Sequence, residues 1–282
     1  MSHNLSTQPQ VVTVIDPSVT KGWWVQLCEV WEYRDLFYYL VWRDIKTRYA
    51  QSVLGIGWSI IQPLFSMVIF TVVFGNMAKI SSDGVPYAIF SYTALVPWTY
   101  FSGALTRTGG SLLTARGMIT KVYFPRLVVP LVAVTGKLMD FGIALLILFG
   151  LMLYFGFLPT MQVLLLPLVI LVMVLTVAGV GMWLTALALQ YRDITYSLGF
   201  GVQLLMYVSP VVYPSSMVPE RFQLLYNLNP MAGVIEAFRS ILLGTNPISW
   251  EGMAIGASMA LVLALSGGAY FMKMERRFAD VI

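Results

Sequence analysis

The sequence predicts an all-α integral membrane protein with six transmembrane helices, an N-terminal amphipathic interfacial helix and an external re-entrant hairpin between spans five and six. Three observations carry this. Of 282 residues, 58% are hydrophobic and 11% charged, with mean hydropathy +0.78, more apolar surface than a water-soluble core can hide. Long apolar segments recur along the chain, each near the roughly 20 helical residues that a hydrocarbon layer of about 30 Å requires. Finally, the basic residues sit at segment ends with a strong bias to one side, the pattern that orients a membrane protein.

Residues 1–22 are polar and read as a disordered cytoplasmic leader, without the basic start and apolar run of a cleavable signal. Residues 23–282 read as a single transmembrane domain. Its first part, 23–48, mixes aromatics and charge, and its apolar run 36–42 is too short to cross. At 100° per residue, Phe37, Leu40 and Val41 share one face while Asp35, Arg43 and Lys46 oppose them, as in a helix lying in the membrane interface. The alternative is a helix that only packs on the bundle. Spans follow at about 56–78, 87–106, 127–157, 162–189, 196–213 and 252–272. Between the fifth and sixth, 231–243 (MAGVIEAFRSILL) is helical but only 13 residues long, so 215–246 is expected to form an external hairpin. With six crossings, thirteen Lys and Arg fall on one side and three on the other, with Lys137 inside a span, which places both termini in the cytoplasm.

Chemistry is sparse. One cysteine, Cys28, excludes an internal disulfide, and the lone His3 lies in the polar leader. The basic residues form no single patch, so nucleic acid is not expected as a partner. No carboxylate cluster suggests a metal, and no nucleophile sits with a base, which disfavours an enzyme such as a prenyl or glycosyl transferase. Lys137 and Asp140, three residues apart on one helical face, are the clear intramembrane charge pair, readable as a functional relay or as a structural pair. One pair argues against an ion-driven transporter. The nearest string to a phosphate loop, Gly136-Lys137-Leu138, lacks the upstream glycine and the hydroxyl and sits in an apolar helix. Any ATP must therefore be handled by another subunit. Two connections could meet such a motor: 107–126 (RTGGSLLTARGMITKVYFPR), where Ser111–Ile119 can form a short helix between glycines and Pro125, and the turn at Gln190, Tyr191, Arg192 and Asp193. Both also read as ordinary basic connections. Trp58 and Phe65 share a face of the first segment, and Tyr87, Phe90, Trp98 and Phe101 repeat at near-helical spacing in the second. Such stripes are either packing or, for a sugar polymer, surfaces on which C–H faces can slide.

Several strings together resemble a known family. Arg48 to Gly55 (RYAQSVLG), with Trp58 and Gln62-Pro63-Leu64, looks like its approach to the first span. Tyr123-Phe124-Pro125-Arg126 with Pro130, then Tyr191-Arg192-Asp193, Asn229-Pro230 through Phe238-Arg239 to Gly244, and Glu275 with Phe278-Ala279-Asp280 and Ile282 follow in order. The chain resembles the ABC-2 type membrane subunits of ABC transporters that export bacterial O-antigen, capsule and teichoic acid. The first forty or so residues depart from that pattern.

The resemblance implies a homodimer in the bacterial inner membrane, joined to two copies of a nucleotide-binding ATPase. This chain would hold no cofactor, with ATP and Mg on the partner. The substrate implied is a polysaccharide on polyprenyl pyrophosphate, with O-antigen favoured and capsule, teichoic acid or a small-molecule drug as alternatives. Arg43, Lys46, Arg48, Tyr49, Leu54 and Gly55 would meet the lipid pyrophosphate, and the aromatic faces, Trp58, Phe65, Tyr87, Phe90, Trp98 and Phe101, would line the channel. Ser111, Leu112, Leu113, Thr114, Ala115, Arg116, Gly117, Met118 and Ile119, with Arg192, would couple to the ATPase, and Asn229, Pro230, Glu236 and Arg239 would form an external gate.

Overall fold

The protein was analysed as a computed structural model, which describes residues 23–50 and 53–281. The leader expected at 1–22 lies outside the described residues. Among those described, every regular element is helical. In order they are α1 Trp23–Glu32, α2 Arg34–Tyr49, α3 Gly57–Phe70 with a π-helical extension Thr71–Met77, α4 Tyr87–Gly109, α5 Ser111–Ile119, α6 Val128–Gly136, α7 Leu138–Phe155, α8 Leu166–Gln190, α9 Arg192–Val208, α10 Glu220–Asn227, α11 Pro230–Leu243 and α12 Trp250–Val281.

Among the described residues, four helical stretches are long and apolar enough to cross a membrane: Gly57–Met77, Val128–Phe155, Met161–Gln190 and Trp250–Glu275. At 23 residues α4 has the length, but it carries serines, threonines, tyrosines and Pro97. Its polarity is tolerable because the other helices enclose it and its hydroxyls bond inside the fold. Thr93 and Thr108 donate to carbonyls one turn back, at 2.8 and 2.7 Å, and Tyr87 donates to the Val212 carbonyl at 2.7 Å. At 17 residues, α9 is shorter and mostly exposed. It stops at Val208, short of the run read to 213, because Pro210 disfavours a helical Ser209, which is extended at φ −93° and ψ 151°.

The third apolar run is one helical stretch with a local irregularity, Lys137 keeping right-handed backbone at φ −81° and ψ −15°. The irregularity lies between α6 and α7, directly after Gly136. A Cβ on Gly136 would lie 2.7 Å from the Asp44 carboxylate, so the glycine lets α2 approach here. The tightest helix pair is α8 with α12, where a Cβ on Gly179 would come within 2.5 Å of the backbone at Leu263 and Ala264. One turn on, Trp183 stacks on Tyr270 with ring centroids 4.2 Å apart and donates to Ser266 at 3.2 Å.

α11 is capped at both ends. The Asn229 side chain accepts from the Met231 amide at 3.1 Å, Pro230 occupies the first turn, and Gly244 closes the helix at φ +64°. It packs against α4, α8 and α12, and nearly all its side chains are buried.

α2 departs from a simple amphipathic pattern. Its inward stripe, Leu40, Asp44 and Arg48 at successive turns, is mostly polar and packs beside α6. Its outer side carries Tyr38, Tyr39 and Trp42 as well as the expected Asp35, Arg43 and Lys46.

Candidate functional site

Two helices present faces that the rest of the chain leaves open. On α3 and its extension, Trp58, Gln62, Phe65, Ile69, Val72 and Asn76 follow one another at steps of three or four residues, and all are exposed, Phe65 at 67%. On α9, Tyr196, Phe200, Gln203 and Tyr207 repeat the pattern, with Tyr196 at 85%. Each stripe mixes aromatic rings with side-chain amides. An amide facing hydrocarbon loses its hydrogen bonds, so such a stripe suits a face that meets water or a polar ligand.

The six aromatics read as channel lining therefore divide. Trp58 and Phe65 lie on the open α3 face. Tyr87, Phe90, Trp98 and Phe101 are buried inside the chain, with Phe90 fully enclosed, and have no free ring face for a ligand. Their spacing marks the packing side of α4, which corrects the expectation for these four. The α9 stripe was missed although its signal is the same periodicity.

At the α2 end of the bundle, five charged side chains form one cluster. Asp44 receives Arg48 at 2.6 Å and is also paired with Arg107 at the end of α4. Arg48 reaches Asp140 of α7 at 2.9 Å and the Gly136 carbonyl at 3.3 Å, and Lys137 reaches the same carboxylate at 2.8 Å. Tyr49 donates to Asp140 and pairs with Ser59 of α3 at 2.9 Å. Burial and the hydrogen bond to Asp140 raise the Tyr49 phenol above its ordinary value. Lys137 and Asp140 are thus the end of a chain of charge running from α4 through α2 to α7. This corrects the docking set: Arg48 and Tyr49 are committed to carboxylates inside the protein, whereas Lys46 is exposed and Arg43 reaches across to the Met118 sulfur of α5 at 3.6 Å. Leu54 is exposed on the turn before α3, and Gly55 there adopts φ +49°. Asp44 and Arg107 escaped notice because their pairing spans 63 positions in sequence.

Beside this cluster, α2, α4, α5 and α6 enclose an open cavity of about 530 Å³ lined by Arg43, Thr47, Thr106, Arg107, Ser111 and Thr114, among others. α5 follows α4 after one residue, and its Leu112 is buried as an anchor. Leu113, Thr114, Arg116 and Gly117 are exposed, while Ser111, Ala115, Met118 and Ile119 are partly covered. Arg192 is exposed at the start of α9, beside exposed Tyr191 and Asp193.

The four residues read as an external gate are all part of the α11 region. Asn229 caps α11 and donates to Ser209 at 2.9 Å, and Pro230 is buried in its first turn. Arg239 is buried, donates to the carbonyls of Val211 at 3.0 Å and Tyr213 at 3.3 Å, and lies 3.6 Å above the Phe90 ring centroid. Burial pulls its guanidinium down, to about 10, still far above neutrality, so it remains charged. Burial pushes the Glu236 carboxyl above its ordinary range, against the help of Ser215 and Arg239, and Tyr226 faces it at 3.4 Å. Among the described residues, no group of three His, Cys, Asp or Glu side chains could hold a metal.

Residues 35–243 match the model of the ABC-2 type transporter family. The chain is 28% identical over 249 residues to the O-antigen export system permease protein RfbA of Klebsiella pneumoniae, covering 88% of this chain and 95% of the relative. It is 27% identical over 256 residues to the RfbA of Myxococcus xanthus, covering 90% and 98%. The polysialic acid transport protein KpsM of Escherichia coli is 23% identical over 243 residues, covering 83% and 91%.

Proposed function

The chain belongs to the ABC-2 type transporter family, and from that premise we propose that it is the transmembrane subunit of an ATP-driven exporter of polyprenyl-pyrophosphate-linked polysaccharide in the bacterial inner membrane. O-antigen is the cargo favoured by the RfbA relatives, and the similarity to KpsM supports capsule as the second reading. The observation that carries the reading is the pair of exposed aromatic and amide stripes on α3 and α9. Ring faces stack on the C–H faces of sugars and amides trade hydrogen bonds with hydroxyls, so a polymer can slide without one fixed register.

In this reading the chain crosses six times, through α3, α4, α6 with α7, α8, α9 and α12, and α10 with α11 forms the external re-entrant hairpin. Supporting it, Asp83 between α3 and α4 accepts from Ser216 at 3.2 Å and Asn246 at 2.9 Å, which gathers three connections at one end. Arg126 donates to the Glu275 carbonyl at 2.8 Å, tying the α5–α6 connection to the last turns of α12 at the other. Both termini are then cytoplasmic. Two copies of the chain set their stripes around a shared path. Arg43 and Lys46 of α2, with Leu54 and Gly55, receive the lipid pyrophosphate at the cytoplasmic interface, beside the cavity that Arg43 lines.

The channel reading is tested by Trp58→Ala with Phe200→Ala. Surface polysaccharide should fall about tenfold or more while the chain accumulates in the membrane at the normal level, since both rings are exposed and support no core. Normal export would remove the stripes from the path.

A separate ATPase, two copies per assembly and carrying ATP and Mg, docks on α5 and on Arg192. Leu113→Asp places a charge on the exposed side of α5 opposite buried Leu112. It should reduce co-purification of the ATPase about tenfold or more, the loss of one apolar interface anchor, without lowering the chain's own level. Undiminished co-purification would place the motor elsewhere.

A further inference from the structure

A second open cavity, of about 290 Å³, lies where α10, α11 and the start of α12 meet the connections at Asp83 and at Asn246. It is far above the ~10–15 Å³ that one water needs and close to the ~300 Å³ at which small-molecule pockets begin. The polar wall groups include the amides of Gln223 and Asn227, the Ser249 hydroxyl, the carboxylates of Asp83 and Glu236, and Arg239. Arg239 is 4% exposed, both of its terminal nitrogens donate to backbone carbonyls, and its Nε has no hydrogen-bond partner among the described residues. That Nε is itself enclosed, so Arg239 is a fixed part of the wall, and the amides, the hydroxyl and the carboxylates are what a ligand would meet.

The chemistry of the walls narrows the occupant. A metal ion would face a buried guanidinium, and its two carboxylates already accept from Ser216, Asn246 and Tyr226. An anion would face both carboxylates. An apolar ligand would strip water from amides and hydroxyls without replacing it. A neutral ring with several hydroxyls, each both donor and acceptor, matches donors and acceptors set side by side on the walls.

We propose that this cavity is a saccharide-binding subsite that takes one pyranose unit of the polymer as it leaves the translocation path. The proposal rests on the exporter reading and adds to it a holding point outside the path, which would oppose backward slippage between power strokes. Three of its walls are tied together through Asp83, so the site is built before the sugar arrives.

The test uses the complete transporter in lipid nanodiscs and, as probe, short oligosaccharides released by mild acid from the surface polysaccharide of the producing cells. Binding is read by saturation-transfer NMR, with Gln223→Ala as the cavity variant and Leu224→Ala, exposed on the same helix but outside the cavity wall, as the control. Gln223 is exposed on α10, so its loss leaves the fold intact. The expected result is binding to the parent and to Leu224→Ala that weakens about tenfold in Gln223→Ala. A parent that does not bind, or binding indifferent to Gln223→Ala, overturns the subsite. Deleting the gene and measuring surface polysaccharide judges the exporter reading separately: lost export with no cavity binding rejects the subsite alone, and unchanged export rejects the exporter reading whatever binds.

Discussion

Asp140→Ala should destabilise the protein by about 3 kcal/mol, the lower part of the ~3–5 kcal/mol range for breaking a buried ion pair. The carboxylate takes both Arg48 and Lys137, whose side chains are 13% and 23% exposed, and removing it strands the Lys137 ammonium with little water while Arg48 keeps only the Asp44 carboxylate. Tyr49 and Ser59 lose their acceptor at the same time. The readout is the melting temperature of the detergent-solubilised protein together with its level in the membrane. Asp140→Asn separates charge from hydrogen bonding, since the amide retains an acceptor for Tyr49. Adding Lys137→Met to Asp140→Ala should recover part of the loss by removing one stranded charge. If Asp140→Ala melts with the parent, the cluster contributes nothing to folding. If Asp140→Asn melts with the parent, its contribution comes from hydrogen bonds alone.

Gly179→Leu should be at least as damaging, by a different cause. There is no room for even the first carbon of a side chain between α8 and the backbone of α12 at Leu263 and Ala264, and backbone cannot turn aside as a flexible side chain can. Overpacking of a close-packed interior costs about 1–3 kcal/mol, and here the obstacle is the axis of a neighbouring helix, which puts the cost at or above the top of that range. The Trp183 and Tyr270 stack beside it should be lost as the helices part. The expected result is little chain in the membrane and a clear fall in melting temperature. Gly199→Ala on α9, where nothing lies within 4 Å, is the matched control and should change stability by under about 1 kcal/mol. Equal behaviour of the two variants would mean that α8 and α12 do not need this approach.

How much of this was visible beforehand depended on the range of the interaction. α11 announces itself locally, through Asn229-Pro230 at its start and Gly244 at its end, and α5 through the glycines before it and Pro125 after it. The aromatic stripes are equally visible as periodicity, but a period says which residues share a face and nothing about what that face meets. Phe65 and Phe90 therefore look alike in sequence, and one is exposed while the other is enclosed. Apolarity likewise underrates α4, because a helix surrounded by protein can satisfy its hydroxyls internally and need not resemble one that faces lipid. The charge cluster was hidden for a third reason. Asp44, Arg107 and Asp140 come from three distant segments, and only Asp44 with Arg48 and Lys137 with Asp140 are neighbours along one helix. Even the latter pair was read without Arg48, which turns an isolated couple into part of a network.

The irregular turn at Lys137 has a mechanical consequence. A regular helix transmits a push along its axis, whereas bending at an irregular turn such as this one would convert part of it into rotation. Beyond that turn, α7 has 18 residues, about 27 Å at 1.5 Å per residue, so a tilt of about 10° there sweeps its far end through about 5 Å. On the near side α6 has nine residues, and the same tilt moves its free end by only about half as much. The turn is where Arg48 and Asp140 meet, so a change in how those charges pair acts at the fulcrum, with the longer arm reaching toward the opposite end of the bundle.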